Sequence, residues 1–432
     1  MIDFLSKRKT TLKRLNFDEG SIAGEPNIFK HLNLVDQLEE LEITIRDYER
    51  EISSTIPEIS KLLNLKILRL YCPDYMNPID LQMSFINLFA PKNFKNLLQL
   101  TITGFHDHSG EVIKNIALGC PQLEFLNIMA PARLQRTYFL PENYGLISIA
   151  EMSNLTTLKL YNLKEVIPEV FITVFASNNL TNLKELDFFK CGQINKDVIE
   201  AIVKGCPNLE TFGLKWYDET FGLTPISQLQ FLKNLDLSGA KRVTSEDFVS
   251  LFSVEHPKFW NNLVKLDLTN CDQIDEQIIQ KISLACKNLE SLTMANFKKT
   301  SGLKAISHLN NLKELVLYGT HNLVPSEFIG IFGNKCHKKL TTLDLSYCNQ
   351  INEKVIESVS LNCPSLESLY LNFYHGSKDI EDLGIQHLCQ NSHNLKKLYL
   401  YGLDLITDQC LSEIKKLLPR LCLIDKSLEP LA

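Results

Sequence analysis

Residues 265–274 read KLDLTNCDQI, and two other stretches nearly repeat them, ELDFFKCGQI at 185–194 and TLDLSYCNQI at 342–351. Each begins with alternating apolar and polar residues, which is typical of a short strand with one buried face. Each has a cysteine three residues before an isoleucine, and another cysteine follows fifteen residues after the first. The recurrence raises two questions: whether the chain is an internal repeat, and whether the cysteines form a chemical site.

The pattern L-x-x-L-x-L recurs along the whole chain, with tolerated substitutions and gaps of 23 to 32 residues. Its first leucine falls at 12, 38, 65, 97, 123, 155, 183, 209, 232, 263, 289, 312, 340, 366, 395 and 421. These gaps lie inside or just above the span of leucine-rich repeats. We therefore predict an α/β leucine-rich-repeat solenoid of about 16 repeats, a horseshoe with parallel strands on the concave face and helices on the convex face.

A longer period of three repeats lies on top of the first. The unit before four of the cycle starts carries phenylalanines at i and i+4, in FINLF (85–89), FITVF (171–175), FVSLF (248–252) and FIGIF (328–332). This spacing places both rings on one helical face, so the pattern predicts core helices. We expect 1–432 to be a single repeat domain, with 1–11 the remnant of an N-terminal helix or cap and 422–432 a C-terminal cap.

Composition excludes several function classes. The net charge is −6 and the pI about 6.0, without the basic stripe that nucleic-acid binding requires. No apolar run reaches the length of a membrane span, and the N-terminus lacks the apolar core of a signal peptide. We therefore expect the twelve cysteines to be free thiols in a cytoplasmic or nuclear protein.

The repeat geometry predicts that the cysteines lie too far apart to form disulfides with one another. Equivalent cysteines are three repeats apart, about 15 Å at roughly 4.8 Å per strand, whereas a disulfide needs Cα atoms within about 7 Å. Within a unit the helix carries the second cysteine to the opposite edge, and no C-x-x-C motif occurs. The spacing favours structural thiols over a disulfide framework or a zinc site.

The usual signatures of catalysis and cofactor binding are missing from the sequence, so we predict no enzyme and no cofactor. One alternative stays open at His106 and His108, which could share a side. They fall at a turn after a strand, where a solvated loop is the simpler interpretation. A metal site there would need a third ligand from a neighbouring loop.

Strand positions two, four and six after the first leucine should point away from the helices, onto the concave face. There we expect aromatic and charged side chains of the kind that protein interfaces select. The candidates at these positions are Tyr71, Tyr161, Asp187, Phe189, Lys215, Asp236, Asp267, Tyr318, Asp344, Tyr370, Tyr399 and Tyr401, and Trp216 is a further candidate that follows immediately after its strand. An equally physical alternative is that such aromatics only cover their neighbours.

Two insertions could add specific contacts, as exposed loops often do. They are APARLQRTYFLPENYG (130–145) and NFYHGSKDIEDLG (372–384). Their candidates are Arg133, Arg136, Tyr138, Phe139, Tyr374 and His375. They could equally be inert.

The combination of a cysteine-proline with L-x-x-L-x-L-x-x-C-x-x-I resembles the cysteine-containing repeats of F-box/leucine-rich-repeat proteins, with ribonuclease-inhibitor-like repeats as wider relatives. The matching stretches are GCPQLEFLNI (119–128), NLKELDFFKCGQI (182–194), GCPNLETFGL (205–214), KLDLTNCDQI, LTTLDLSYCNQI (340–351) and NCPSLESLYL (362–371). The resemblance implies that the repeats hold a protein substrate of an SCF ubiquitin ligase, while an F-box docks the adaptor and cullin. No F-box is visible in this sequence, so the resemblance leaves open a free-standing interaction scaffold or inhibitor.

Overall fold

The structure is a computed structural model. It describes residues 12–18, 37–44, 59–72, 78–91, 93–104, 110–130, 143–164, 166–253, 260–299, 301–333, 337–373, 379–418, 420–421 and 423–425. The chain divides into two compact units, Met1–Gly213 and Leu214–Ala432. Both units are built from the same repeat, and each is described by itself.

Every predicted strand is present and begins two residues after the first leucine of its repeat. The strands are β1 Arg14–Asp18, β2 Glu40–Thr44, β3 Ile67–Tyr71, β4 Gln99–Thr103, β5 Phe125–Met129, β6 Thr157–Tyr161, β7 Glu185–Phe189, β8 Thr211–Lys215, β9 Asn234–Asp236, β10 Lys265–Asp267, β11 Ser291–Thr293, β12 Glu314–Val316, β13 Thr342–Asp344, β14 Ser368–Tyr370, β15 Lys397–Tyr399 and β16 Leu423–Asp425. Strands β1 to β7 pair in parallel with their sequence neighbours in the first unit, and β9 to β16 do so in the second. β8 spans the boundary between the units. The predicted leucine-rich-repeat solenoid is confirmed.

Alternate side chains along each strand point to opposite faces of the sheet, and their burial shows which face packs against the helices. The third and fifth positions after the first leucine are almost completely buried, as at Leu266 and Leu268. In the first unit Phe188 packs edge-on against Phe171 and Phe175 of the helix that precedes its strand, with ring centroids 5.6 and 6.0 Å away. The core therefore lies between the sheet and the helices. The opposite face of the sheet, called the open face here, carries the even positions.

Helices follow the strands in most units. They are α1 Pro78–Leu88, α2 Glu111–Gly119, α3 Pro168–Ala176, α4 Lys196–Gly205, α5 Ser245–Leu251, α6 Glu276–Ala285, α7 Pro325–Phe332, α8 Glu353–Asn362, α9 Asp382–Asn391 and α10 Asp408–Leu417. In the described part of the chain, three units have 3₁₀ segments instead, at Asn143–Glu151, Thr224–Gln228 and Leu303–His308. These units stand three repeats apart, so the longer period predicted from the phenylalanine pairs is real. All eight of those phenylalanines are almost completely buried.

Helix starts recur at one place in the repeat. The twelfth position after the first leucine carries a capping side chain that accepts a hydrogen bond from the backbone N–H three residues on, which satisfies a donor at the helix start. The capping residues are Asn195, Thr244, Asp275, Asn352 and Thr407, at 3.1–3.2 Å. Each cap fixes where the chain turns from strand to helix.

A second set of side chains ties each repeat to the preceding one. The residue just before the first leucine is often asparagine, and its amide donates to a backbone carbonyl of the preceding repeat. The donors include Asn96, Asn154, Asn182, Asn208, Asn262, Asn288, Asn311 and Asn394. Because every bond joins neighbouring repeats, these side chains hold the strands in register.

Candidate protein-binding surface

The open face is organised in rows, because the parallel strands pair with equivalent positions opposite each other. In the second unit one such row runs Val316, Asp344, Tyr370, Tyr399 across four adjacent strands. Neighbours in a row are about 4.8 Å apart, close enough for direct side-chain contact. Residues that are far apart in sequence therefore form continuous surface patches.

Five tyrosines lie on, or just after, the four adjacent strands β12 to β15, and we call them the tyrosine patch: Tyr318, Tyr347, Tyr370, Tyr399 and Tyr401. The rings of Tyr318 and Tyr347 meet edge-on, with centroids 4.9 Å apart. Those of Tyr370 and Tyr399 stack at 4.4 Å with planes 6° apart. The patch therefore contains two pairs of tyrosines in ring contact, and Tyr401 follows two residues after Tyr399.

One member of this patch is less accessible than the sequence predicts. Tyr399 was expected to be an exposed aromatic, but it is only 6% exposed, since Tyr370 covers one of its faces. Its buried hydroxyl makes no hydrogen bond of good geometry to any residue in the described part of the chain. The pKa of Tyr370 is raised mainly by burial and secondly by the neighbouring Tyr399. Tyr318, Tyr370 and Tyr401 are half-buried, with surface left to contact a ligand.

Three of the aspartates predicted on the open face have a structural role in the turns that follow their strands. The carboxylates of Asp236, Asp267 and Asp344 each accept a hydrogen bond from the backbone N–H two residues on, at 2.8–2.9 Å. These bonds close the turn at the strand end. Burial raises the pKa of Asp267 and Asp344. All three are half-buried on the open face, and the second oxygen of Asp236 is paired with Lys215.

Asp187 differs from these three, and the expectation that it lies open on the face is wrong. It is 6% exposed and accepts a hydrogen bond from the Tyr161 hydroxyl at 2.7 Å. A Cβ at Gly213 would overlap its Oδ1 atom, so the missing side chain there leaves room for the carboxylate. Tyr161 also contacts Phe189 edge-on at 5.9 Å. Asp187 therefore orients Tyr161 rather than presenting a charge.

Lysines neutralise some of the face carboxylates but not all. Lys159 pairs with Glu185 at 2.7 Å, and Lys215 pairs with Asp236 at 3.4 Å. Near the N-terminus, Tyr71 is half-buried beside Arg69 and Glu42. Its burial, and secondly the negative charge of Glu42, raise the pKa of its hydroxyl. The open face thus carries balanced charge at these places.

Trp216 follows β8 at the edge of the second unit and is 39% exposed. The Lys241 ammonium lies 5.1 Å from its ring centroid, a cation–π contact. Gly239 packs beneath the indole, where a Cβ would come within 2.8 Å of the ring. In the loop that follows, Phe221 is 64% exposed, and the sequence reasoning missed it because it belongs to no strand position.

One position of the repeat has a left-handed backbone conformation, and Trp216 occupies it. In ten described repeats the seventh position after the first leucine is left-handed, with φ between 50° and 81°. Seven of these residues are glycine or asparagine, which adopt this conformation readily. The ten are Gly104, Asn162, Lys190, Trp216, Gly239, Asn270, Asn296, Gly319, Tyr347 and Gly402. Lys190, Trp216 and Tyr347 are the exceptions and carry about 1–2 kcal/mol of backbone strain each.

Strain of this kind often marks functional positions. Tyr347 was not predicted as a site residue, because only its place in the repeat shows that asparagine or glycine would fit at lower cost. The two strained aromatics, Trp216 and Tyr347, both flank the open face of the second unit.

Several predicted residues lie outside the described part of the chain. They are Arg133, Arg136, Tyr138, Phe139, Tyr374 and His375, together with His106 and His108. Their predicted roles stay predictions. Among the described residues, no group of three or more His, Cys, Asp or Glu side chains could hold a metal ion. None of the described helices is both long and apolar enough to cross a bilayer.

The described cysteines are ten buried, free thiols. Cys191, Cys271 and Cys348 each donate to the carbonyl of a leucine in the preceding repeat, at 3.0–3.2 Å. They are therefore more than the small hydrophobes predicted, because each thiol also satisfies a buried backbone acceptor. Burial raises the pKa of seven thiols to about 12, at Cys72, Cys120, Cys191, Cys206, Cys271, Cys348 and Cys389.

We expect these seven thiols to resist iodoacetamide at pH 8 in the folded protein. With a pKa of about 12 the thiolate fraction is about 10⁻⁴, and only the thiolate reacts. Labelling should appear only after unfolding in guanidinium chloride, and peptide mass spectrometry identifies the labelled sites. Rapid native labelling of Cys191 or Cys271 would contradict the buried placement.

Comparisons with known proteins agree with the repeat. No protein-family model matches the sequence. The chain is 24% identical over 291 residues to DNA repair protein rhp7 of Schizosaccharomyces pombe, covering 59% of this chain and 50% of the relative. It is 27% identical over 231 residues to F-box/LRR-repeat protein 4 of Bos taurus, covering 51% and 36%. It is 26% identical over 214 residues to antagonist of mitotic exit network protein 1 of Candida albicans, covering 50% and 28%.

Among solved structures, the chain is similar to one determined as the complex of Rad7 and Elc1 in yeast. The identity is 18%, the coverage 91% of both chains, and the TM-score 0.52, a likeness that concerns the fold. The fold and the repeat define a leucine-rich-repeat protein. Its relatives include a protein named for an F-box and leucine-rich repeats, and the chain spans half or less of the curated relatives it matches.

Proposed function

We propose that the open face binds a partner protein and that the chain acts as the substrate-recognition component of a ubiquitin ligase. The observation that carries the binding part is the pair of aromatics, Trp216 and Tyr347, held in a left-handed backbone conformation beside the open face. A strained aromatic contributes less to folding than an asparagine would, so its selection favours a role in recognition.

The ligase part rests on the family resemblance. F-box/LRR proteins present substrates through their repeats, and one relative carries that name. The structurally similar Rad7 is described in complex with Elc1, a protein partner. By analogy, this chain would work in the cytoplasm or nucleus with an adaptor and a cullin. No catalytic step is assigned to it, because its contribution is to hold the substrate.

Native purification tests this proposal. The full-length natural protein, tagged at one end and purified from its own cells, should retain a cullin and its adaptor in near-stoichiometric amounts by mass spectrometry. Proteins that accumulate in the same preparation only under proteasome inhibition would be its substrates. Recovery of partners without any ligase subunit would reject the ligase assignment and favour the free-standing scaffold.

A further inference from the structure

Within the tyrosine patch, β13 lies between Tyr318, which follows β12, and Tyr370 of β14, and we call this strip, one strand wide, the trough. Its floor is formed by Thr342 and Asp344 of β13 and by Ser346, which follows the strand and is almost completely buried. Tyr318 borders this floor from the β12 side and Tyr370 from the β14 side. The flanking strands are about 9.5 Å apart, a width that suits one extended chain or one long side chain.

The charge in this trough is not balanced within the described part of the chain. Glu314 accepts a hydrogen bond from the Ser291 hydroxyl at 2.8 Å, and Asp344 accepts one from the backbone of Ser346, but neither forms an ion pair. This contrasts with Asp236 and Glu185, which lysines on neighbouring strands neutralise. Two net negative charges therefore stand beside aromatic rings.

Two lysines in the described part of the chain share a row with Glu314. On one side the row runs Glu314, Ser291, Lys265, two strands or about 10 Å; on the other it runs Glu314, Thr342, Ser368, Lys397, three strands or about 14 Å. Both separations exceed the roughly 4 Å of an ion pair, and both lysine side chains are exposed. The two lysines therefore flank the trough without neutralising its carboxylates.

Carboxylates beside aromatic rings favour a cation, and arginine fits this arrangement better than lysine. A guanidinium can stack on a tyrosine ring while its five donors reach carboxylates and phenol oxygens, whereas an ammonium is a compact point charge.

We propose that the tyrosine patch binds an arginine side chain carried by an extended segment of the partner, with Asp344 and Glu314 as its counter-charges. This rests on the proposed function, because it names the chemistry of the ligand that the open face recognises. The two tyrosine pairs flank the segment, and the arginine enters between Tyr318 and Tyr370.

A library of random dodecapeptides displayed on phage tests the assignment, with the full-length protein as bait. Peptides selected by the wild type should be enriched in arginine, and a selected peptide should lose about tenfold or more in affinity when that arginine becomes citrulline. The double variant Glu314→Gln, Asp344→Asn should lose the enrichment. Both substitutions keep the hydrogen-bond acceptors for Ser291 and Ser346, and the denaturation midpoint confirms that the variant folds.

Asp236→Asn is the matched control. It holds the same repeat position and makes the same turn bond, but its charge is already paired with Lys215. Its arginine enrichment should equal that of the wild type. The assignment is overturned if no arginine enrichment appears, if lysine or acidic peptides are selected, or if the double variant keeps the enrichment. Copurification of ligase subunits would survive any of these outcomes, so the two proposals fail separately.

Discussion

Replacing Gly205 by alanine should destabilise the first unit by about 3 kcal/mol or more. Gly205 ends α4, and a Cβ there would overlap the backbone carbonyl oxygen of Phe175, near the end of α3. A backbone carbonyl cannot rotate away as a side chain can, so the two helices must separate and open the core around the phenylalanines. Chemical denaturation of the purified protein measures the loss.

Gly119→Ala is the matched variant. It stands at the same repeat position at the end of α2, but a Cβ there would lie 3.0 Å from the Phe89 carbonyl oxygen. A shift of a few tenths of an ångström accommodates it, so we expect a cost of about 1 kcal/mol or less. Equal losses of unfolding free energy in the two variants would show that close packing between repeats is not the reason for glycine at these helix ends.

The second large effect concerns binding. Replacing Tyr347 by asparagine should change the unfolding free energy only slightly, between a loss of about 0.5 and a gain of about 1.5 kcal/mol. The substitution relieves about 1–2 kcal/mol of left-handed strain and loses an edge-on ring contact with Tyr318 worth about 0.5–1.5 kcal/mol. Affinity for the substrate protein should nevertheless fall about 30-fold, as expected for an aromatic hot spot.

Tyr347→Phe provides the control for this prediction. It keeps the ring and the strained backbone, so both stability and affinity should stay near those of the wild type. A drop of more than about 1 kcal/mol in the unfolding free energy of Tyr347→Asn would instead identify Tyr347 as a packing residue.

The strands and the core followed from the sequence because a leucine period fixes both register and face. Each strand starts at the same repeat position, and the predicted phenylalanine pairs are buried as expected. Sequence position also identified most of the open face, since alternate residues must point away from the helices. These predictions depend only on local periodicity.

Accessibility on the open face did not follow from periodicity, because it depends on side chains several strands away. Asp187 is buried by its bond to Tyr161 and the space left at Gly213, and Tyr399 by stacking on Tyr370. The importance of Tyr347 emerged from its backbone dihedral angle. Its partners in the repeat are asparagine and glycine, and that contrast is readable from the sequence once the repeat is aligned.

Binding through the open face, and not through the outer surface of the helices, is the central claim. The most direct test compares the dissociation constants of the substrate protein for two variants of the full chain. Tyr370→Ser changes the open face, whereas Leu361→Ser changes an exposed leucine on α8 that is 60% accessible. We predict an increase of at least about tenfold for Tyr370→Ser and no change for Leu361→Ser. The reverse result would contradict the claim and place the interface on the helices.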